Sequence, residues 1–303
     1  MTYSIVARDP VTGSFGTACQ SHFFAPGASV TWARAGYGAV ATQAFVRGGY
    51  GGAGTARLGD ETAPLVLREM LAADRHPEVR QVLMVGADGI AAAHTGSSCI
   101  ESCGDIVDGD VAVAGNMLAN NDVLPAMIEG YRSSRLPFAD RLLAAMVAAE
   151  EAGGDARGSQ GASLLVVDGT VDDDPWDHKP IDLRVEDHPD PICELTRLLT
   201  LRRSFDAVSA AMFAPGLMVG DFREPAAGDL DRALDALLSA ADVLAPNPEP
   251  LFWRAMLLLR SGRTDDARAG FAALFDENPH LRQFSERVAA AGFVDAATMK
   301  AVL

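Results

Sequence analysis

The order of strand-like and helix-like segments is what most restricts the folds open to this chain. Apolar runs bounded by turn residues predict strands, and the turn chemistry around Pro10 and Gly13 joins the first two into an antiparallel hairpin. Predicted strands cover residues 3–7, 14–20, 28–33, 37–45, 79–86, 90–95, 111–114 and 162–167, and predicted helices cover 61–74, 122–132 and 136–152. Hairpins separated by groups of helices, without strict strand–helix alternation, predict two sheets between two helical layers. This is an α/β/β/α sandwich of the α/β (α+β) class.

A second region begins near Phe205, where the sequence becomes rich in alanine, leucine and charged residues and loses its strand patterns. The string that begins at Gly228 has an echo at Gly262, an offset of 34 residues that matches the period of tetratricopeptide helix pairs. The echo covers barely two units, so it also fits chance similarity between helices. We therefore predict domains at residues 1–200 and 205–303, the second being a small all-α helix-pair domain. Its predicted core consists of Trp253, Leu257, Leu258, Phe271, Leu274 and Phe275.

The net charge of −16 argues against nucleic acid and anionic membrane surfaces as partners, because both need a basic patch. No leader-like segment opens the sequence, and no apolar run approaches the ~20 residues of a membrane span, so we expect a soluble cytoplasmic protein. Its four cysteines are expected to be free thiols. His94, Cys99 and Cys103 lack the tight spacing of zinc ligands, and no Gly-Lys-Ser/Thr follows the glycines at 48–54. We therefore expect no metal and no cofactor.

Thr2 directly follows the initiator methionine and directly precedes a predicted strand. Initiator methionine is usually removed when the next side chain is as small as threonine. Removal would leave a free α-amine, which is a base near neutral pH, within reach of the Thr2 hydroxyl. Thr2 is therefore a candidate nucleophile. The alternative is that Thr2 is simply the first residue of a strand, a position that threonine favours.

Seven strings along the first part of the chain point to one known family. They are residues 2–10, 32–36, 38–44, 93–96, 115–118, 153–158 and 182–188. Together they resemble the bacterial domain of unknown function 1028 family, which is assigned to the Ntn-hydrolase superfamily. The resemblance covers about residues 2 to 200. It implies a four-layer Ntn-hydrolase-like fold and an N-terminal Thr, Ser or Cys nucleophile, and it implies no particular substrate.

The resemblance extends to the helical region and has two departures. Residues 205–303 are similar to an extra C-terminal domain of some members, named for a proposed peptidoglycan-binding role. The family is expected to carry an Ala-Ser-Arg type string where this chain has residues 19–22, and an Asn-Pro-Ser-Tyr-Gly type string where it has residues 47–51. Both departures lie near the pocket of the superfamily, so they imply either a retuned pocket or a lost activity.

Three residues accompany Thr2 as candidate catalytic groups. Asn116 lies at a predicted strand end and is a candidate oxyanion donor, or else a turn-forming asparagine. Asp155 and Arg157 follow two glycines and precede a buried strand. They are candidates to orient Thr2 or to bind a substrate carboxylate, and the alternative is a loop ion pair at the surface.

Four further residues are predicted to bind substrate. Gln20 and Ser21 end the strand that pairs with the Thr2 strand, where an amide can orient a ligand but cannot carry charge. Gln43 lies within one of the resembling strings, and His94 closes a strand as a candidate pocket wall. The alternative for Gln20 and Ser21 is an ordinary polar strand end.

The sequence therefore predicts an N-terminal-nucleophile amidohydrolase that cleaves a small-molecule amide through an acyl-enzyme on Thr2. A non-catalytic binding protein that keeps the fold and engages a partner through its helical domain is the alternative. Helix pairs commonly present interaction surfaces, so we also expect a homo-oligomer.

Overall fold

Two antiparallel sheets form the first part of the chain in this computed structural model, which describes residues 2–171, 174, 177–223 and 228–303. The larger sheet has the strand order β10-β9-β2-β1-β8-β7, and the smaller has the order β3-β4-β5-β6. The strands are β1 (Thr2–Arg8), β2 (Phe15–Ser21), β3 (Thr31–Arg34), β4 (Gly38–Ala44), β5 (Arg80–Gly86), β6 (Ala91–Thr95), β7 (Gly104–Asp108), β8 (Val111–Asn116), β9 (Gly161–Val167) and β10 (Ile181–Val185).

Helices cover the outer faces of both sheets. The first four are α1 (Gly49–Arg57), α2 (Ala63–Ala72), α3 (Val123–Ser133) and α4 (Phe138–Glu151). α1 and α2 pack on the smaller sheet, whereas α3 and α4 pack on the larger one, and the inner faces of the two sheets contact each other. The first part of the chain therefore has an α+β fold with four layers, as the element order predicted.

Strand alternation decides which side chains enter the gap between the sheets. The buried core of this gap includes Val6 of β1, Ala39 and Ala41 of β4, and Leu83 of β5. Their neighbours along β4 and β5, such as Val40 and Met84, belong instead to the core beneath α1 and α2. A side chain on the same face of β1 as Val6 must therefore lie between the sheets, and Thr2 is on that face.

α1 forms where the sequence pattern predicted no helix. Its glycines have low helix propensity, but they allow the helix backbone to approach β3. A Cβ atom on Gly51 would lie 2.3 Å from the ring of Trp32, so a larger residue there would clash with the indole. β7 and β10 were also unpredicted; both are edge strands with half-exposed, partly charged sequences.

The second compact unit begins at Leu199, within α5 (Pro191–Met212), whereas composition placed the change near Phe205. It continues through α6 (Asp229–Leu244), α7 (Glu249–Arg260), α8 (Thr264–Glu277), α9 (His280–Ala290) and α10 (Ala296–Lys300). Gly228 and Gly262, which mark the 34-residue echo, each precede a helix and have φ of 83° and 80°. All six residues predicted as this region's core are buried in one cluster, which confirms that prediction. No helix in the described part of the chain is long and apolar enough to cross a membrane.

Candidate functional site

Thr2 begins a central strand of the larger sheet. Both neighbours of β1 run antiparallel to it, so the start of β1 lies between the ends of β2 and β8. Thr2 pairs with Asn116 of β8, and its Oγ1 donates a hydrogen bond to Ser21 Oγ of β2 at 3.0 Å. Only 8% of Thr2 is exposed. The structure thus brings together Thr2, Ser21 and Asn116 at one end of the sandwich.

A buried cluster of amide side chains holds the backbone of Thr2. Gln43 Nε2 donates to the Thr2 carbonyl oxygen at 3.2 Å, and Asn116 Nδ2 faces the same oxygen at 3.5 Å. Both amides also donate to Gln81 Oε1, at 2.7 Å from Gln43 and 2.8 Å from Asn116. Ser4 Oγ completes the cluster by donating to Gln43 Oε1 at 2.7 Å. Three strands from two sheets therefore fix the position of the Thr2 carbonyl.

Gln81 and Ser4 belong to this cluster but were not predicted from the sequence. Gln81 Nε2 donates to the Gly115 carbonyl at 2.8 Å and to Thr95 Oγ1 at 2.9 Å, which ties β5 to β8 and β6. The signal available in the sequence was alternation along β5, because Gln81 shares a face with the core residues Leu83 and Val85. A glutamine at an inward position of an otherwise apolar strand indicates a buried polar cluster.

The loop that leads from α4 into β9 crosses the end of β1. The Ala156 amide donates to the Met117 carbonyl just beyond β8, and the Gln160 amide donates to the Ser21 carbonyl at the end of β2. Asp155, whose side chain is fully buried, accepts a hydrogen bond from the His22 amide at 3.0 Å. The loop therefore contacts both neighbours of β1 next to Thr2, the residue at which β1 begins.

Asp155 and Arg157 form an ion pair within this loop, the arrangement that the sequence offered as the alternative to a role at Thr2. Arg157 Nη2 lies 3.3 Å from Asp155 Oδ2, and the Arg157 amide donates to Asp155 Oδ1 at 2.8 Å. The two residues differ in burial, because 38% of the Arg157 side chain is exposed. Asp155 therefore holds the loop in place through backbone amides, while Arg157 lies at the surface of the same loop.

A second carboxylate anchors this loop from the helical layer. Tyr3 OH donates to Glu150 Oε1 of α4 at 2.5 Å, and Ser159 Oγ donates to the same oxygen at 3.0 Å. Burial raises the pKa of Tyr3 well above its ordinary value, and the charge of Glu150 adds to this effect. Tyr3 therefore remains a neutral hydrogen-bond donor that links β1, α4 and the loop.

Gln20 and His94 lie on the opposite faces of their sheets from the Thr2 cluster. Gln20 pairs with Tyr3, so it faces the layer of α3 and α4. His94 pairs with Val82, and its Nε2 lies 2.9 Å from the Pro77 carbonyl on the outer side of the smaller sheet. The structure does not bring either residue together with Thr2, because strand register fixes the face that each side chain takes.

The chain matches the model of a family of unknown function, DUF1028, over residues 2–195. The chain belongs to this family. A crystal structure of the DUF1028 protein SPO2555 from Silicibacter pomeroyi is 30% identical to it, with a TM-score of 0.58. That match covers 73% of this chain and 91% of the other. Among curated proteins, none matches the chain.

A cavity of about 570 Å³ opens in the DUF1028 region, but it does not include Thr2. It lies between β3, an edge strand of the smaller sheet, and β9 and β10 of the larger sheet. The polar cluster at Thr2 and this cavity are therefore two separate features of the same sandwich.

Proposed function

We propose that this DUF1028 protein is an N-terminal-nucleophile amidohydrolase that cleaves a small-molecule amide through Thr2. The proposal rests on the hydrogen bonds that hold the backbone and the hydroxyl of Thr2 in place. The Thr2 carbonyl accepts from Gln43 and faces Asn116, and the Thr2 hydroxyl donates to Ser21. Such pre-organisation is what a nucleophile at the start of a strand requires. The likeness to the Ntn-hydrolase superfamily noted from the sequence supports the same chemistry.

The proposed reaction begins after removal of Met1, which lies outside the described residues. The freed amine takes the proton from the Thr2 Oγ as this oxygen attacks the amide carbonyl carbon and forms a C–O bond. The tetrahedral intermediate then breaks its C–N bond, and the leaving nitrogen takes the proton from the Thr2 ammonium. Water attacks the resulting ester, releases the carboxylic acid and restores the hydroxyl. Ser21 orients the Thr2 hydroxyl before attack.

Asn116 has a positioning role in this proposal. Its Nδ2 donates to Gln81 Oε1 at 2.8 Å and faces the Thr2 carbonyl at 3.5 Å, so both amide protons point into the buried cluster. The oxyanion role expected from the sequence would require one of these protons to be free. We therefore assign Asn116 with Gln43 to holding the backbone of the nucleophile.

Intact mass and covalent labelling test the proposal together. Protein purified from its native host should lack Met1 and should gain one acyl group from a β-lactone probe, and Thr2→Ala should not be acylated. Thr62→Ala is the matched control, because Thr62 is exposed and its side chain makes no capping hydrogen bond. Retention of Met1, or labelling that persists in Thr2→Ala, would contradict the nucleophile assignment.

The cavity favours a second candidate, a non-catalytic binding protein. Its volume of about 570 Å³ falls within the usual range of small-molecule sites, and it lies away from Thr2. A protein that retains Met1, resists acylation and still binds a ligand in this cavity would support the binding function over hydrolysis.

A further inference from the structure

The cavity between the edge strands has an apolar wall and a fixed aromatic ring. Leu165 and Val167 of β9 contribute side chains that face the gap between the sheets, and Trp32 of β3, which packs on the α1 side of the smaller sheet, also lines the cavity. Trp32 Nε1 donates to the Ser29 carbonyl at 3.0 Å, and the backbone of α1 at Gly51 packs against its ring. The indole therefore has a set position before any ligand arrives.

Basic side chains outnumber acidic ones around this cavity. Arg34, Lys179 and Arg184 line it, and Asp182 is the one carboxylate among its described lining residues. Each carboxylate oxygen of Asp182 pairs with a different cation. Oδ2 lies 2.7 Å from Lys179 Nζ, and Oδ1 lies 3.2 Å from Arg184 Nε. Two positive charges are left uncompensated within the described lining, although the whole chain carries a net charge of −16.

We propose that this cavity binds a small organic anion. The apolar body of the ligand would pack against Trp32, Leu165 and Val167, and its carboxylate or phosphate would lie among Arg34, Lys179 and Arg184. The volume of about 570 Å³ suits a ligand of one or two rings. Guanidinium and ammonium groups in the lining of an apolar cavity favour an anion, because only a charged ligand can pair with their positive charge. The site is separate from Thr2 and does not depend on the proposed hydrolysis.

Two dyes that share an aromatic body test the charge requirement. 8-Anilinonaphthalene-1-sulfonate carries an anionic group, and N-phenyl-1-naphthylamine lacks it. Fluorescence titration of the full chain should show saturable binding of the anionic dye and much weaker binding of the neutral one. Displacement by 2-naphthoate and by 2-naphthyl phosphate then distinguishes a carboxylate site from a phosphate site. Equal affinity for the two dyes would overturn the proposal.

Substitutions of residues that line the cavity test whether the dye binds there. Gly52 lines the cavity and a Cβ there would meet no atom within 4 Å, so Gly52→Leu should fill the cavity without disturbing the fold and should abolish binding. Arg34→Gln combined with Arg184→Gln should weaken binding about tenfold, since two partly exposed charge contacts are lost.

Lys300 supplies the control, because it is the only other lysine of the chain and lies outside the cavity. Lys300→Gln changes the net charge as Lys179→Gln does, but only Lys179→Gln should weaken binding of the dye. Binding that survives Gly52→Leu, or that falls equally in Lys300→Gln and Lys179→Gln, would place the dye elsewhere and overturn the assignment.

Discussion

Gln43 and Gln81 lie directly opposite each other on β4 and β5, and the Nε2 of Gln43 donates to the Oε1 of Gln81 at 2.7 Å. Both side chains are buried in the gap between the sheets, where an unpaired amide is costly. The same Gln81 oxygen also accepts from Asn116. Gln81 is therefore the acceptor that satisfies the two amides next to the Thr2 carbonyl.

Gln81→Ala should lower the free energy of unfolding by about 2–4 kcal/mol, because it leaves buried donors on Gln43 and Asn116 without their acceptor. Urea denaturation measures this loss. Gln283→Ala, at an exposed helix position, should change stability by less than about 0.5 kcal/mol. A loss in Gln81→Ala no larger than in Gln283→Ala would show that the cluster does not stabilise the sandwich.

Asp155→Ala and Arg157→Ala should separate the two members of the loop ion pair. Asp155 is buried and accepts from two backbone amides, so its removal should cost about 2–3 kcal/mol. Arg157→Ala should cost less than about 1 kcal/mol, because its side chain is substantially exposed. Thermal melting of both variants measures the difference, and equal losses would mean that the charge pair, rather than the backbone hydrogen bonds, stabilises the loop.

Alkaline pH should destabilise the protein partly through Cys19. Burial raises the pKa of the Cys19 thiol to about 12, while the nearby Ser163 hydroxyl, 3.3 Å away, partly opposes this shift. Because the pKa of the thiol is higher in the folded state, the neutral thiol contributes to the free energy of unfolding. This contribution is complete below the unfolded-state pKa of about 8.5 and is lost as the pH rises toward the folded-state pKa.

The difference in unfolding free energy between the wild type and Cys19→Ala should therefore shrink between pH ~8.5 and the folded pKa, by about 1.4 kcal/mol per pH unit at most. Urea denaturation at several pH values measures it. Cys193→Ala is the control, because Cys193 is exposed. Parallel pH profiles of the wild type and Cys19→Ala would contradict the raised pKa.

Residues 1–200 should fold without the helical region. Among the residues that the structure describes, none beyond Val167 belongs to the buried cores between the sheets and beneath α1 and α2, and the helical core begins at Val208. Near-UV circular dichroism of the fragment should retain the aromatic signals of the sandwich, and β-lactone labelling should match that of the full chain. A fragment that is insoluble or molten would show that the two parts cannot fold separately.

Strand register determines which of the predicted residues belong to the candidate site. Thr2, Ser21, Gln43 and Asn116 were predicted as site residues and do lie together, but Gln20 and His94 do not join them. A shift of one residue moves a strand side chain to the other face of the sheet. Strand ends predicted from the sequence are uncertain by at least one residue, so the face of a side chain is not predicted reliably. Gln81 belongs to the site because β4 and β5 pair it with Gln43, a residue 38 positions away in the sequence.

Elements that have a local sequence signal could be predicted from the amino-acid sequence alone. Apolar runs between turn residues located most strands, and helical spacing identified Trp253, Leu257 and Phe271 as core residues of the second region. It did not determine α1, whose glycines form a helix because the backbone packs closely against Trp32. Local patterns depend on residues that are neighbours in the sequence. Strand register and close packing depend on residues that are distant in the sequence, so they become visible only in the folded structure.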